Sequence, residues 1–401
     1  MRRTSFTIGA FTLLAGCRDA TTAPTVEPSA ARKSVAGYAA VEFPALPGGD
    51  VFGALVFAIN ARGQIAGASN VANSGSFHAA RWAGGAPEDL GTLGGISSSA
   101  TDINDLGDVV GQAVNSDGYA HAFLFTDEGG IEDLGTPNGL QSVANAINNR
   151  GVVVGSHETG PFTPGRAFRW TRAGGMQDLR TLPDGFSIEA LNINNRGDIV
   201  GAADTPAGKR GVLWTNTGAI IALGTLPNSF FSSASAINER GEIVGSSTTS
   251  SDFSRAVLWT PNGQIVNLGV LPGDQESWAY GINNTGAVVG ISVGIFGFRG
   301  FVWTRDGGMR ALPTLGTDET FAYDVNDAAT AAGYSLGVRW HALQWVTAQL
   351  PIASLAAATA APAFVAGRAV RQSPPIKGAL VSAAYLLQGS NQRQLAPMRA
   401  P

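Results

Sequence analysis

The chain has 401 residues, 44% of them apolar and only 14% charged, with a formal net charge of −4, 53 glycines, 20 prolines, four histidines and one cysteine. That apolar mass excludes wholesale disorder, and few charges beside many glycines argue for turns rather than charged helix faces. One cysteine excludes an internal disulfide framework or a cysteine zinc cage, and four scattered histidines give no basis for a metal or other cofactor.

The chain opens with Arg2 and Arg3, continues through a short apolar run from Phe6 to Leu14, and reaches Leu14-Ala15-Gly16-Cys17. The apolar run is too short to cross a bilayer as a mature helix. Residues 1–17 resemble the bacterial lipoprotein signal, in which the cysteine is diacylated and becomes the new N-terminus. The alternative is an ordinary secretory signal with an incidental cysteine. The resemblance implies lipidation of Cys17 and a membrane partner through that anchor, with roughly 0.8 kcal/mol gained per buried CH₂. It places the protein in the cell envelope, and Arg18, where an aspartate would signal inner-membrane retention, favours the outer membrane or cell surface. Residues 18–37, rich in Ala, Thr, Pro and Ser, read as a flexible tether.

From there a unit of about 44 residues recurs seven times. Its anchor is Ile59-Asn60, Ile103-Asn104, Ile147-Asn148, Ile193-Asn194, Ile237-Asn238, Ile282-Asn283 and Val325-Asn326. Seven residues after each asparagine stands a glycine, from Gly67 to Gly333. About twenty residues after it stands a large aromatic: Trp82, Phe125, Trp170, Trp214, Trp259, Trp303 or Trp345.

Each unit reads as four short strands. Strand A ends at the Ile-Asn anchor. An Asn-x-x-Gly turn follows, in which the asparagine side chain caps and the glycine supplies a positive φ. Strand B is of the Val152-Val153-Val154 type, strand C of the His121 to Phe125 type, and strand D of the Glu132 to Gly135 type. Even spacing without room for a helix predicts an all-β, antiparallel fold. The unit matches a propeller blade, so residues 38–351 are expected to form a seven-bladed β-propeller of four-stranded antiparallel blades, rather than a β-solenoid or a large sandwich. A strand-D-like segment at Tyr38 to Leu46 precedes the first unit and is expected to complete the last blade. That would leave 346–351 redundant or as an alternative partner.

In strand C, four residues before each anchor aromatic, stands His78, His121, Arg166, Arg210, Arg255, Arg299 or His341. The intervening residue of opposite parity is Ala or Gly, as at Ala79, Gly211 and Gly300. Large on one face and small on the other is what interlocking blades need, so the seven aromatics are expected to pack between blades.

His121-Ala122-Phe123, Leu90-Gly91-Thr92-Leu93-Gly94-Gly95 and the Ile-Asn-x-x-Gly-x-Val-Val-Gly run at 103–111 resemble the bacterial extracellular HAF-repeat family. The resemblance covers 38–351. It implies a propeller and export but brings no catalytic residues, because the family is defined by its repeats. The seventh unit departs from the pattern, with Ala329 at the turn-glycine position and Ala331-Ala332 for Val-Val, so a looser blade is expected.

Candidate chemistry is sparse. The His/Arg register is read as structural, capping strand ends and bonding backbone or acids between blades. The His157-Glu158 pair is expected to be surface decoration in a loop. No nucleotide fingerprint, calcium loop or nucleophile elbow appears. Residues 1–37 carry five basic and two acidic side chains and 352–401 five basic and none acidic, so the body 38–351 holds −12 of the net charge. An acidic body is a poor nucleic-acid binder. The tail 352–401, rich in Ala and Pro, is expected to be disordered.

The B–C and D–A loops vary in length and share one rim. They carry Phe52, Tyr119, Phe162, Phe186, Phe230, Phe231, Trp278, Phe296 and Phe298, beside Asp184, Asp204, Asp252, Asp274, Glu276 and Glu319. Aromatics with carboxylates suit sugars or peptides. The leading expectation is a monomeric, non-catalytic binding or assembly module whose ligand is a glycan or a protein segment. The alternative is a carbohydrate-active lyase or hydrolase, with Asp274 and Glu276 as acid and base. The A–B and C–D turns, short and alike, are expected to make a plain face.

Overall fold

The computed structural model describes residues 34–35, 37–49, 51–72, 75–137, 140–160, 165–295, 297–316, 319–337 and 339–347. The signal with Cys17, all but the end of the tether, the basic tail, and the rim residues Phe162 and Phe296 lie outside them. The described residues are all-β: seven antiparallel sheets, each the A-B-C-D order expected of one blade, set in a ring. Blade 1 is Ala54–Ile59, Ile65–Asn70, Phe77–Trp82 and Pro87–Asp89. Blade 4 is Ser187–Ile193, Ile199–Thr205, Gly208–Trp214 and Ile220–Ala222. In blade 7, strands Glu319–Val325, Ala331–Leu336 and Trp340–Thr347 are completed by Tyr38–Phe43.

That last pairing closes the ring. Tyr38 faces Thr347 and Phe43 faces Ala342 in an antiparallel ladder, so the exposed edge of blade 7 is covered by the start of the body. Residues 346–347 continue strand C, and 348–351 lie outside the described residues. Ser34 and Val35 add a fifth strand outside Tyr38–Ala39. The tether, expected to run to residue 37, therefore gives its end to the sheet. Tyr38 and Thr347 both sit at the end of blade 7 that carries the C–D turns.

Between blades the strand C pattern does what its alternation requires. Trp82, Trp170, Trp214, Trp259, Trp303 and Trp345 are all buried. Trp214 packs with Val154 and Ala167 of blade 3, and Trp303 with Ala256 and Leu258 of blade 5. Burying one indole of roughly 200 Å² contributes about 5 kcal/mol gross. Four indole N–H groups donate to a carbonyl just after the preceding blade's last strand: Trp82 to Pro44, Trp214 to Arg180, Trp259 to Gly224 and Trp345 to Pro313, at 2.7–2.9 Å. Phe125 has no such donor and stays half-buried, with the Arg81 guanidinium 5.4 Å from its ring centroid.

The glycine seven residues after each asparagine has a cause the sequence does not state. In every blade strand A carries a bulge, as between Val56 and Ala58 or Ala144 and Ala146, opposite this glycine in strand B. A Cβ on Gly67, Gly155 or Gly201 would lie 1.9 Å from the carbonyl oxygen of Leu55, Val143 or Glu189. Only glycine lets the two backbones approach so closely.

Candidate functional site

Two faces compete as sites, and the inner strands build the first. Each anchor asparagine accepts from the backbone N–H groups two and four residues on: Asn148 Oδ1 takes those of Arg150 and Val152 at 3.0 and 3.1 Å. This is the expected cap. Its Nδ2, unforeseen, donates to the carbonyl of the next blade's asparagine, from Asn60 to Asn104 at 2.9 Å around to Asn326 to Asn60 at 3.1 Å. A second circuit lies beside it. The backbone N–H of Ala61 goes to Asp105, Asp105 to Asn149, Asn149 to Asn195, Asn195 to Glu239, Glu239 to Asn284 and Asn284 to Asp327, at 2.7–2.9 Å. It ends at Ala61, which has no side-chain acceptor.

These circuits surround a depression of about 180 Å³ on the axis, lined by the Ile-Asn-x steps of all seven blades. The face expected to be plain thus carries an axial hollow edged by Asp105, Glu239 and Asp327. Each of those carboxylates has an oxygen engaged by a neighbour's backbone N–H, so the polar groups here hold the ring together.

Deeper along the axis the bulged residues turn toward the neighbouring inner strand: Asn145 Nδ2 donates to Ala190 O at 2.7 Å and Thr101 Oγ1 to Ala144 O at 2.6 Å. Here the seven-fold regularity breaks. Blades 2–5 place Thr101, Asn145, Leu191 and Ser235 there, whereas blades 6, 7 and 1 place Tyr280, Tyr323 and Phe57. Tyr280 stacks on Tyr323 with centroids 5.1 Å apart, and Phe57 meets Tyr323 edge-on at 5.5 Å. Burial raises the phenol pKa of all three tyrosines of this sector, that of Tyr334 to about 12.

The strand C register splits by chemistry. His78 lies 2.9 Å from Asp89, His121 2.8 Å from Asp133 and His341 2.7 Å from Glu42, each acid on strand D of the same blade. Arg210 instead reaches the carbonyl of Phe230, and Arg255 that of Gln275 at 2.5 Å, both at the entry to the next blade. The expected bonding between blades therefore holds for these arginines, while the histidines bond within their own blade. Arg166 is exposed. His157 is a correction: it is buried, not surface decoration. Its Nε2 lies 2.7 Å from Asp178 and its Nδ1 3.1 Å from the Glu158 carbonyl. It takes over in blade 3, from strand B, the acid that a strand C histidine holds in blades 1, 2 and 7.

The second face is the rim of B–C and D–A loops. Tyr119, Phe186 and Phe230 are 45%, 57% and 63% exposed there, on blades 2, 4 and 5. Trp278 is half-buried in the aromatic sector. Of the eleven large apolar side chains exposed among the described residues, eight lie on this rim: Val51, Phe52, Ile96, Tyr119, Phe186, Phe230, Ile295 and Leu336. Asp274 and Glu276 share one strand of blade 6, separated by a register shift. The Asp274 side chain is buried, with one oxygen 2.7 Å from the Arg299 guanidinium as a charge contact and the other accepting its Nε–H at 3.2 Å. Glu276 accepts the backbone N–H of Ser254 at 3.3 Å. Among the described residues no group of three or more His, Cys, Asp or Glu is placed to hold a metal ion.

No curated protein matches the chain. A streptogramin B lyase structure is 12% identical, with a TM-score of 0.50 over 78% of this chain and 98% of that one. A catalytically inactive virginiamycin B lyase from Staphylococcus aureus with quinupristin is also 12% identical, with a TM-score of 0.51 over 78% of this chain and 100% of that one. Identity this low shows a common fold alone. Residues 49–173, which take in blades 1 and 2 and three strands of blade 3, match a family described as protein of unknown function (DUF3466).

Proposed function

We propose that this protein is an exported, lipid-anchored propeller that works as a non-catalytic binding module, presenting its variable-loop rim to a glycan or peptide. The carrying observation is the distribution of apolar exposure: eight of eleven exposed large apolar side chains lie on that rim. Gathering such side chains on one face, rather than spreading them over the whole surface, is what an interaction face shows. Three further features support the reading. The opposite face uses its polar groups to tie blades together. Ser34, where the described chain begins, is level with Ala39, and Thr347 faces Tyr38, both toward that opposite side, which supports a tether joining the body away from the rim. Asp274 and Glu276 are each engaged by a partner, which weighs against the lyase or hydrolase alternative. His121-Ala122-Phe123 and the Leu90 to Gly95 run support kinship with HAF-repeat proteins.

The test is a screen of the purified protein on glycan and peptide arrays. Binding lost on replacing exposed apolar side chains of the rim by serine supports the reading; no binding to either class sinks it. The anchor is tested separately by fractionation. Cys17→Ser is expected to release the exported protein into the soluble fraction, and full retention with membranes would refute lipidation.

A further inference from the structure

We propose that the ligand-binding part of the rim is the end of blade 7 with its flanks, from Ile295 to Phe52, and that it takes a peptide segment bearing a lysine or arginine between apolar side chains. This rests on the reading of the rim as a binding face and narrows it to one arc and one ligand class.

The ladder sets the residues side by side. Glu319, at the start of strand A, pairs with Leu336 at the end of strand B, and Leu336 pairs with Trp340 at the start of strand C. Trp340 N–H then donates to the Phe52 carbonyl at 3.1 Å, joining blade 1. On the other flank, Phe298 N–H of blade 6 donates to Glu319 at 3.3 Å, next to the turn that carries Ile295. A row of apolar groups therefore runs across three blades with the Glu319 carboxylate near its middle. Ile295, Leu336 and Phe52 are exposed at 81%, 37% and 46%. Trp340 is half-buried and leans on Phe77 at 5.3 Å. Beneath the row, Phe298, Phe321 and Tyr334 form a ring stack with centroids 5.0 and 4.8 Å apart. This is the rim end of the sector where seven-fold regularity fails, and a repeat fold that departs from its own symmetry at one arc marks that arc for a separate task.

The carboxylate selects the ligand. Asp274 on the same rim has Arg299, and Glu189 has Lys209 at 2.6 Å. Arg339, next to Trp340 in the same blade, lies 3.7 Å from Glu42. Among the described residues no lysine, arginine or histidine pairs with Glu319; it is half-buried, and burial raises its carboxyl pKa, offset in part by the Phe298 N–H. A desolvated carboxylate without a cation is destabilised as the anion. An incoming ammonium or guanidinium restores the pair and meets the faces of neighbouring rings, while apolar side chains on either side cover Ile295, Leu336 and Phe52. The −12 charge of the body draws cations toward it. A neutral sugar supplies hydroxyl donors but no charge, so the peptide is favoured.

The test uses the intact protein and fluorescein-labelled hexapeptides of leucine and phenylalanine with one central lysine, norleucine or glutamate, read by anisotropy. The lysine peptide is expected to bind, and norleucine is expected to weaken binding about tenfold or more. Glu319→Gln should produce the same loss with the lysine peptide and little further loss with norleucine. Phe52→Ser and Leu336→Ser should weaken both peptides more than Tyr119→Ser, Phe186→Ser or Phe230→Ser does. The norleucine probe tests the charge on the unaltered protein, so the proposal stands or falls even where a variant fails to fold. Equal binding of lysine and norleucine peptides overturns the proposed pairing. Loss of binding in Phe186→Ser or Phe230→Ser with none in Glu319→Gln overturns the location while leaving the rim reading intact. Binding to glycans and to no peptide overturns the ligand class. Binding to nothing removes the rim reading itself.

Discussion

The side-chain amide of Asn326 donates to the backbone carbonyl of Asn60 at 3.1 Å across 266 residues of sequence, closing a ring of seven such bonds. Each member caps its own turn through Oδ1 and ties to the next blade through Nδ2. Asn148→Ala is expected to cost about 1–3 kcal/mol, since it removes a cap and one of the two donors to the buried Asn194 carbonyl, whose other donor is the Gly197 N–H at 3.0 Å. Asn148→Asp keeps the cap and loses the donor, so it should recover part of the loss. Urea unfolding of the three proteins measures both contributions, and equal destabilisation by Asp and Ala would mean that the cap contributes nothing.

Trp214 is 5% exposed and packs across the junction of blades 3 and 4. Trp214→Ala should destabilise by about 3–5 kcal/mol through lost burial and the cavity left behind. Trp214→Phe removes the Nε1–H donated to Arg180 O at 2.7 Å, and about 1–2 kcal/mol is expected for that bond and the smaller ring. A change below about 1 kcal/mol for the alanine variant in denaturant unfolding would contradict packing between blades.

Architecture was legible because seven copies repeat every local signal. Turn asparagines, alternating strands and regularly spaced aromatics each point to one blade, and Tyr38 to Leu46 pointed to the closing strand. What stayed hidden depends on contacts between copies. The Nδ2 of Asn148 has a local partner in no reading of its own turn; its acceptor, Asn194 O, is 46 residues away. Gly155 looked like a repeat marker, yet it is required because a bulge brings the Val143 carbonyl against it. His157 misled because its acid, Asp178, lies 21 residues on, two strands across in the same sheet. The rim was legible as aromatic and acidic, but not which acids are spent: Asp274 is held by Arg299, whereas Glu319 has no basic partner among the described residues.

Blade 7 keeps its A–B turn although Ala329 stands where the other blades have glycine. Its backbone N–H donates to Asn326 O at 2.9 Å, and its φ is +56°, against +69° at the equivalent Gly151. A left-handed alanine costs roughly 1–2 kcal/mol through its Cβ. Ala329→Gly relieves that strain but adds backbone entropy to the unfolded chain, so a net gain of about 0.5–1 kcal/mol is expected in denaturant unfolding. A loss of stability would show that the turn is unstrained.

Ring closure carries its own pH dependence. Glu42 stands on Tyr38–Phe43, the strand that seals blade 7, and its carboxylate lies 2.7 Å from His341 Nδ1 and 3.7 Å from Arg339. The hydrogen bond to His341 lowers the Glu42 pKa below its ordinary value of 4.5, partial burial opposes the shift, and the charges of His341 and Arg339 add to the lowering. A carboxyl whose pKa is lower folded than unfolded contributes stability in full above its unfolded value. That contribution is lost as pH falls through the folded value. Stability measured by urea unfolding should therefore decline below pH of about 4.5, and Glu42→Gln should decline less steeply over that range while being less stable than wild type at pH near 6. Because Glu42 is partly open to solvent, the effect is modest, and the difference in slope between the two proteins is the readout. Parallel curves for the wild type and Glu42→Gln would show that the pair contributes nothing to closure.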